Sequence, residues 1–241
     1  MDVTRIIAIR HGETDWNVAT RIQGSTDIAL NTKGHWQAAR VADALREEHI
    51  DAVYSSDLSR AFTTASAIAA HHGQTVHTDA GLRERQFGHF EGLSWREIET
   101  QYPDDAVAWR SRMPTFLPSG GESLIMLRER VQTTLQAIAA LHLGQHIVIA
   151  THGGVLDAIY RLATGQSLDA PRSWHLGNFA GSNSDVAFSR ADNAWAVWAK
   201  QPSCWIVALQ CCKHTRFVLC GNTFGNAHNE TNACSGRFKN C

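Results

Sequence analysis

A chain of 241 residues, 44% of them hydrophobic, is long enough to bury a substantial core, and one α/β domain is the first expectation. A formal net charge of −1 gives no overall attraction to nucleic acid or to an anionic membrane, and no apolar run approaches the ~20 residues a spanning helix requires. The opening Met1-Asp2-Val3-Thr4-Arg5 leads into a short apolar run without the shape of a signal peptide, so a cytoplasmic protein is expected, a monomer or homodimer with no nucleic-acid or membrane partner.

Residues 3–9 form a nearly continuous apolar run rich in β-branched side chains, ended by Arg10-His11-Gly12. This predicts a buried strand feeding a glycine-containing loop. Residues 32–48 have helical spacing, with Trp36, Ala39, Ala42 or Asp43, and Leu45 or Arg46 on successive turns; Asn31 or Thr32 supplies the N-cap. Residues 52–54 predict a second short strand, Ser55-Ser56-Asp57 a turn, residues 59–71 a helix and residues 75–78 a third strand. A long irregular stretch follows over residues 81–121, with a helix near residues 95–102 that Pro103 stops. Ser123 caps a long amphipathic helix whose Leu124, Leu127, Val131, Leu135, Ile138 and Leu141 recur as a core-facing stripe. Residues 146–150 are another buried strand, ended by Thr151-His152-Gly153-Gly154, after which residues 155–163 turn helical. Strands alternating with helices predict a three-layer α/β/α fold with a mostly parallel central sheet. The eight tryptophans are expected mostly in the core, with Trp16, Trp95 and Trp109 as candidates to border a site.

The two strongest strands both end in a His-Gly step. Sites in open α/β sheets form beyond the carboxyl ends of the strands, so His11 and His152 would converge if those strands are neighbours. Hydrolysis of a phosphate monoester without a metal needs a nucleophile, cations to neutralise the dianion, and an acid for the departing oxygen. Arg10-His11 offers the first two side by side. A neutral imidazole attacks with one nitrogen while the other fixes the tautomer, and the guanidinium fork matches phosphate oxygens. Arg60 lies just inside a predicted helix start, where backbone N–H groups also favour an anion.

Arg10-His11-Gly12-Glu13-Thr14 resembles the signature of the histidine phosphatase superfamily, the phosphoglycerate mutase-like proteins. The resemblance extends in order through Asn17; Arg21-Ile22-Gln23-Gly24; Leu30-Asn31 with Gly34 and Gln37-Ala38; Tyr54-Ser55-Ser56-Asp57-Leu58-Ser59-Arg60-Ala61; Leu82-Arg83-Glu84 with Phe87-Gly88; Gly120-Gly121-Glu122-Ser123; and Thr151-His152-Gly153-Gly154. It implies that His11 is phosphorylated and that Arg10, Arg60 and His152 line the phosphate pocket, where the arginines and a protonated His152 would balance the phosphate charge. Asn17, Arg21, Gln23, Gly24 and the Gly153 amide would lie nearby. Glu84 would protonate the leaving alcohol and later assist water, with no metal and no cofactor. Two roles stay open on the residues alone: Arg21 is a ligand or a salt-bridge partner within its loop, and Glu84 is the acid or a surface partner of Arg83 and Arg85. Glu13 and Glu122 read as supporting or capping residues.

Only 37 residues separate Glu84 from Glu122, which resembles the short bacterial phosphatases and lacks the insertion of the family's mutases. The expected function is a phosphomonoester hydrolase acting on a small phosphorylated metabolite, such as a phosphorylated acid, a sugar phosphate, α-ribazole phosphate or a phosphoamino acid. The alternatives are a cofactor-dependent phosphoglycerate mutase and a non-catalytic phosphate-docking domain.

The resemblance loosens after about residue 177. Asn178-Phe179-Ala180-Gly181-Ser182 is an imperfect version of a family segment, and residues 194–199 are expected to form the last family strand. The six cysteines all follow residue 203, and the charge changes at the same place, from −5 before Lys200 to +4 from it onward. The expected division is a catalytic domain over residues 1–200 and an atypical tail over residues 201–241, appended or frame-shifted in origin. Residues 204–212 and 216–220 of that tail are strand-like and could extend a sheet edge, cover the pocket or stay unordered. Its cysteines have no paired metal-ligand spacing.

Overall fold

The computed structural model describes residues 4–172, with the backbone of residues 190–191, 194–195 and 206–211. β1 (Thr4–Arg10) runs into a loop holding the short helix α1 (Asp15–Val18), which a Thr14–Asn17 capping box closes. Then follow α2 (Thr32–Ala44), β2 (Ala52–Ser55), α3 (Ser59–His72) and β3 (Val76–Thr78). Two small helices, α4 (Trp95–Gln101) and α5 (Pro103–Arg110), precede α6 (Leu124–Leu141), β4 (His146–Thr151) and α7 (Gly153–Thr164). β5 (Arg190–Ala191) and β6 (Ala194–Trp195) form a separate ribbon, and β7 (Ile206–Cys211) joins the main sheet.

The sheet order is β3-β2-β4-β1-β7, with the first four strands parallel and β7 antiparallel to β1. Alternation along each strand divides the side chains between two cores. Ile6, Ala8, Ile147 and Ile149 face α6 and α7, where Leu127, Val131, Leu135, Val155 and Ile159 pack. Ile7, Ile9, Val148 and Ala150 face α2 and α3, where Val41, Leu45, Ala65 and Ile68 pack. This is the expected three-layer arrangement.

The structure corrects two details, the faces of α2 and of the end of α6, and sharpens two others. The buried face of α2 is Gly34, Gln37, Ala38, Val41 and Ala42, with Leu45 just beyond; Trp36 is 51% exposed and Ala39 also faces out. Backbone contact sets that rotation. A Cβ on Gly12 would lie 2.4 Å from the Gly34 carbonyl oxygen, and one on Gly34 would lie 2.1 Å from that of Glu13. The helix therefore docks on its glycine and turns the indole outward. Leu141 is 74% exposed, because the apolar stripe of α6 has turned away from the sheet by its last residue. Pro103 does stop α4, yet it also sits at the first position of α5, where its missing N–H costs nothing. In the tail, residues 206–211 extend the sheet beside β1, one of the outcomes left open; residues 178–182, 196–199 and 216–220 lie outside the described residues.

Candidate active site

β1 and β4 are neighbours in parallel register, Arg10 opposite Thr151, and the His11 N–H continues the ladder to the Thr151 carbonyl at 3.0 Å. The helices after these strands pack on opposite faces, α2 on one and α7 on the other. The crevice at the carboxyl ends of β1 and β4 is thus the topological switch point of the sheet. His11 and His152 meet there, with ring centroids 5.1 Å apart.

His11 is 4% exposed, and its Nδ1–H donates to the Gly12 carbonyl at 2.7 Å. That bond fixes the tautomer and leaves the Nε2 lone pair available. Burial pushes the His11 pKa well below its ordinary 6.5, with the positive charges of Arg10 and Arg60 adding to the effect. His11 is therefore neutral at pH 7, the form an imidazole needs in order to attack phosphorus. The Gly12 N–H donates to Thr64 Oγ1 at 3.2 Å, and Thr64 Oγ1 donates to the Arg60 carbonyl at 2.8 Å, which ties the loop after β1 to the first turn of α3.

His152 is fully buried, and neither ring nitrogen has a hydrogen-bond partner among the described residues. Burial also lowers its pKa well below 6.5, followed by the influence of His11, Arg60, Arg10 and Arg130. The protonated His152 expected from the sequence is one that faces a bound phosphate. With the charges the chain itself supplies, this imidazole is neutral. Only the opposite charge of a phosphate would favour its protonation.

Arg60 is fully buried at the start of α3; its Nη1 and Nη2 donate to the carbonyls of Thr26 and Gly24, each at 2.8 Å. Burial lowers its pKa, opposed by Glu84, Asp27 and Glu91. Glu91 holds the loop carrying those carbonyls by accepting from Ser25 N (2.9 Å), Thr26 N (3.0 Å) and Phe87 N (3.0 Å). Gly24 therefore serves as a backbone acceptor for Arg60. Asn17 and Gln23 both bind Thr14, three residues beyond His11: Asn17 Oδ1 accepts from Thr14 N at 3.1 Å, and Gln23 Oε1 from Thr14 Oγ1 at 3.0 Å. Arg21 is a salt-bridge partner, but to a residue of α4 and not within its own loop. Its guanidinium donates to the Gly92 carbonyl and pairs with Glu97 at 3.3 Å.

Glu84 is oriented by backbone. Both carboxylate oxygens accept from Gly154 N at 3.0 Å, and Oε1 accepts from Arg85 N at 2.8 Å. Gly153 opens α7 between Arg10 and Glu84, for a Cβ there would lie 3.8 Å from both Arg10 Nε and Glu84 Oε2. The flanking arginines are engaged elsewhere. Arg83 pairs with Asp57, while Arg85 Nε donates to the Glu122 carbonyl at 2.7 Å and its guanidinium lies over the Phe87 ring. Burial pushes the Arg85 pKa down to about 10, so it remains a cation.

Sequence reasoning missed Arg130 and Glu91. Arg130 Nε and Nη2 hold the Glu122 carboxylate at 2.9 and 2.7 Å, and Nη1 donates to the carbonyls of Gly81 (2.8 Å) and Arg83 (3.0 Å). It thereby braces the backbone on the N-terminal side of Glu84. Trp95 and Trp109 sit in an aromatic cluster with Phe87 and Phe90 that forms the core of the 87–116 segment. Among the described residues no group of acidic, His and Cys side chains is arranged to hold a metal, and no helix is long and apolar enough to cross a membrane.

The crevice thus brings together a neutral imidazole, a second buried imidazole, two arginines and an oriented carboxylate. The chain belongs to the histidine phosphatase superfamily, whose branch 1 model matches residues 6–200. It is 46% identical to phosphoglycerate mutase-like protein 4 of Arabidopsis thaliana over 68% of this chain and 72% of that protein. It is 43% identical to a metal-independent phosphoserine phosphatase of the same plant over 66% and 68% of the two chains. The solved structure of mycobacterial glucosyl-3-phosphoglycerate phosphatase superposes with a TM-score of 0.64 at 31% identity, covering 69% of this chain and 82% of that one. The likeness therefore extends to plant proteins as well as to bacterial phosphatases.

Proposed function

We propose that this phosphoric monoester hydrolase of small phosphorylated metabolites works through a phosphorylated His11 without a metal ion. The observation that carries the reading is His11 itself: neutral, buried, with Nδ1–H bound to Gly12 so that Nε2 keeps its lone pair, and with its ring 5.1 Å from that of His152. Nε2 attacks phosphorus as the bond to the alcohol oxygen breaks, and Glu84 delivers a proton to that oxygen. Water then attacks the phosphohistidine, Glu84 takes its proton, and the N–P bond breaks to release phosphate and neutral His11. Arg10, Arg60 and the Gly153 N–H at the start of α7 hold the phosphoryl oxygens, and His152 donates a hydrogen bond to one of them. Asn17 and Gln23 keep the nucleophile loop in place.

A metal-independent phosphoserine phosphatase and a glucosyl-3-phosphoglycerate phosphatase among the relatives support hydrolysis of small phosphorylated substrates. We assign the catalytic unit to residues 1–200 of a cytoplasmic monomer or homodimer, with residues 201–241 an appended tail that contributes edge strand β7. The mutase-like relative keeps one rival in view. Incubation with 3-phosphoglycerate and a trace of 2,3-bisphosphoglycerate should release phosphate faster than it isomerises the substrate. Rapid isomerisation without comparable phosphate release would make the chain a mutase.

A further inference from the structure

One carboxylate outside the mechanism gathers donors from two separate loops. Glu91 Oε1 accepts from the backbone N–H groups of Ser25 at 2.9 Å and Phe87 at 3.0 Å, and Oε2 from that of Thr26 at 3.0 Å. The hydroxyls of Ser25 and Thr26 add bonds at 3.1 and 2.6 Å. Gly24 makes room for this grip: a Cβ there would collide with Glu91 Oε1 and Cδ, and its φ of +56° is one that L residues avoid. The neighbouring backbone is paired as well, the Ile22 N–H to the Leu93 carbonyl at 2.9 Å and the Gly92 N–H to the Ile22 carbonyl at 2.8 Å. Residues 22–26 and 87–93 are thus braced as one unit.

That unit carries the seat of Arg60. The Gly24 and Thr26 carbonyls, on either side of Ser25, are the two acceptors on which the Arg60 guanidinium rests. Arg60 Nε is buried without a hydrogen-bond partner among the described residues, and its charge reaches both His11 and His152. A guanidinium fork matches phosphate oxygens only when its plane is fixed, and a shift of about 1 Å in such a group is costly. Each Glu91 oxygen faces a backbone N–H, so the seat needs a carboxylate. A carboxamide would turn its NH2 onto one of those donors whichever way it lay.

We propose that Glu91 is a positioning residue of the phosphate pocket. Through the Gly24 and Thr26 carbonyls it sets where Arg60 stands, and thereby the affinity for the phosphoryl group, without touching the substrate. Every phosphate monoester shares the oxygens that Arg60 would meet. Glu91 should therefore act alike on alkyl and aryl esters, unlike a group that serves the leaving oxygen. This inference rests on the phosphatase reading above.

Inhibition by orthovanadate, a phosphate mimic, tests it alongside kcat/KM on p-nitrophenyl phosphate and glycerol 1-phosphate. Glu91→Gln should raise the vanadate inhibition constant by about tenfold to a hundredfold and lower kcat/KM on both esters by one common factor. Glu91→Asp keeps two acceptor oxygens but is one methylene short; it should fall between, and it serves if the glutamine variant folds poorly. Added to Arg60→Met, Glu91→Gln should cost less than about twofold more, because the two act through one group. A folded Glu91→Gln with vanadate affinity within about twofold of wild type would overturn the positioning role and leave a loop brace. So would a full further loss on the Arg60→Met background. A loss several times larger on glycerol 1-phosphate would also overturn it, placing the effect on Glu84 by way of Phe87. In each case a wild type that hydrolyses p-nitrophenyl phosphate leaves the phosphatase reading standing. If the wild type hydrolyses nothing, that reading fails, and calorimetric titration with inorganic phosphate decides: weaker binding by Glu91→Gln upholds the positioning role, and equal affinities or no binding by either end it.

Discussion

Replacing Gly154 with alanine should separate catalysis from stability. The new Cβ would lie 2.3 Å from Glu84 Oε1 and 3.3 Å from its Cδ, where ordinary contact begins at 3.4 Å. The carboxylate must retreat by about 1 Å, and it loses its paired bonds from the Gly154 N–H. Misplacement of that size costs on the order of 10²-fold in rate, within the 10²–10⁴-fold that a positioned acid contributes. The loss should fall on alkyl phosphates, whose alkoxide needs the proton, and should be several times smaller for p-nitrophenyl phosphate. Stability should not fall, because the displaced atom ends a flexible side chain and alanine is favoured over glycine in a helix by up to about 1 kcal/mol. Thermal melting and kcat/KM on the two ester classes measure both effects. Equal losses on alkyl and aryl esters, or an unchanged alkyl rate, would refute Glu84 as a leaving-group acid held by Gly154.

Arg130→Met removes the bidentate hold on Glu122 and two carbonyl contacts, and should cost about 2–4 kcal/mol in urea unfolding with a matching fall in alkyl phosphatase rate; a change below about 0.5 kcal/mol would contradict the bracing role. His11 and His152 both have native pKa values pushed below 6.5 by burial, so under about pH 6.5 the unfolded chain binds protons that the native state does not. Stability should therefore decline as pH falls through that region, less steeply in His152→Gln; a melting temperature that rises on acidification would reverse the assigned sign. Dialysis against a chelator should leave the rate unchanged, because arginines supply the positive charge; recovery of a lost rate on adding a divalent ion would overturn the metal-free mechanism.

Much of this architecture is legible in local sequence. The β-branched runs before His11 and His152, the Asn31 and Ser123 caps and the stripe of α6 all follow from nearest-neighbour physics. The rotation of α2 is not, because it depends on two glycines, 12 and 34, whose backbones touch only in the folded chain. Nor can sequence show that β1 lies beside β4, the pairing that brings the imidazoles together. Arg21 could be placed only once Gly92 and Glu97 were seen beside it. Arg130 and Arg112 carried no signal: one reads as a solvated helix charge and the other as a loop charge, yet their partners lie 47 or 49 and 45 residues away.

The central claim is that His11 carries the phosphoryl group. Quenching turnover of p-nitrophenyl phosphate in base and mapping the modified peptide should find phosphate on His11, lost on brief acid treatment as a phosphoramidate is. His11→Ala should show neither the modification nor turnover. Full turnover in His11→Ala, or an acid-stable phosphate on another side chain, would contradict the account.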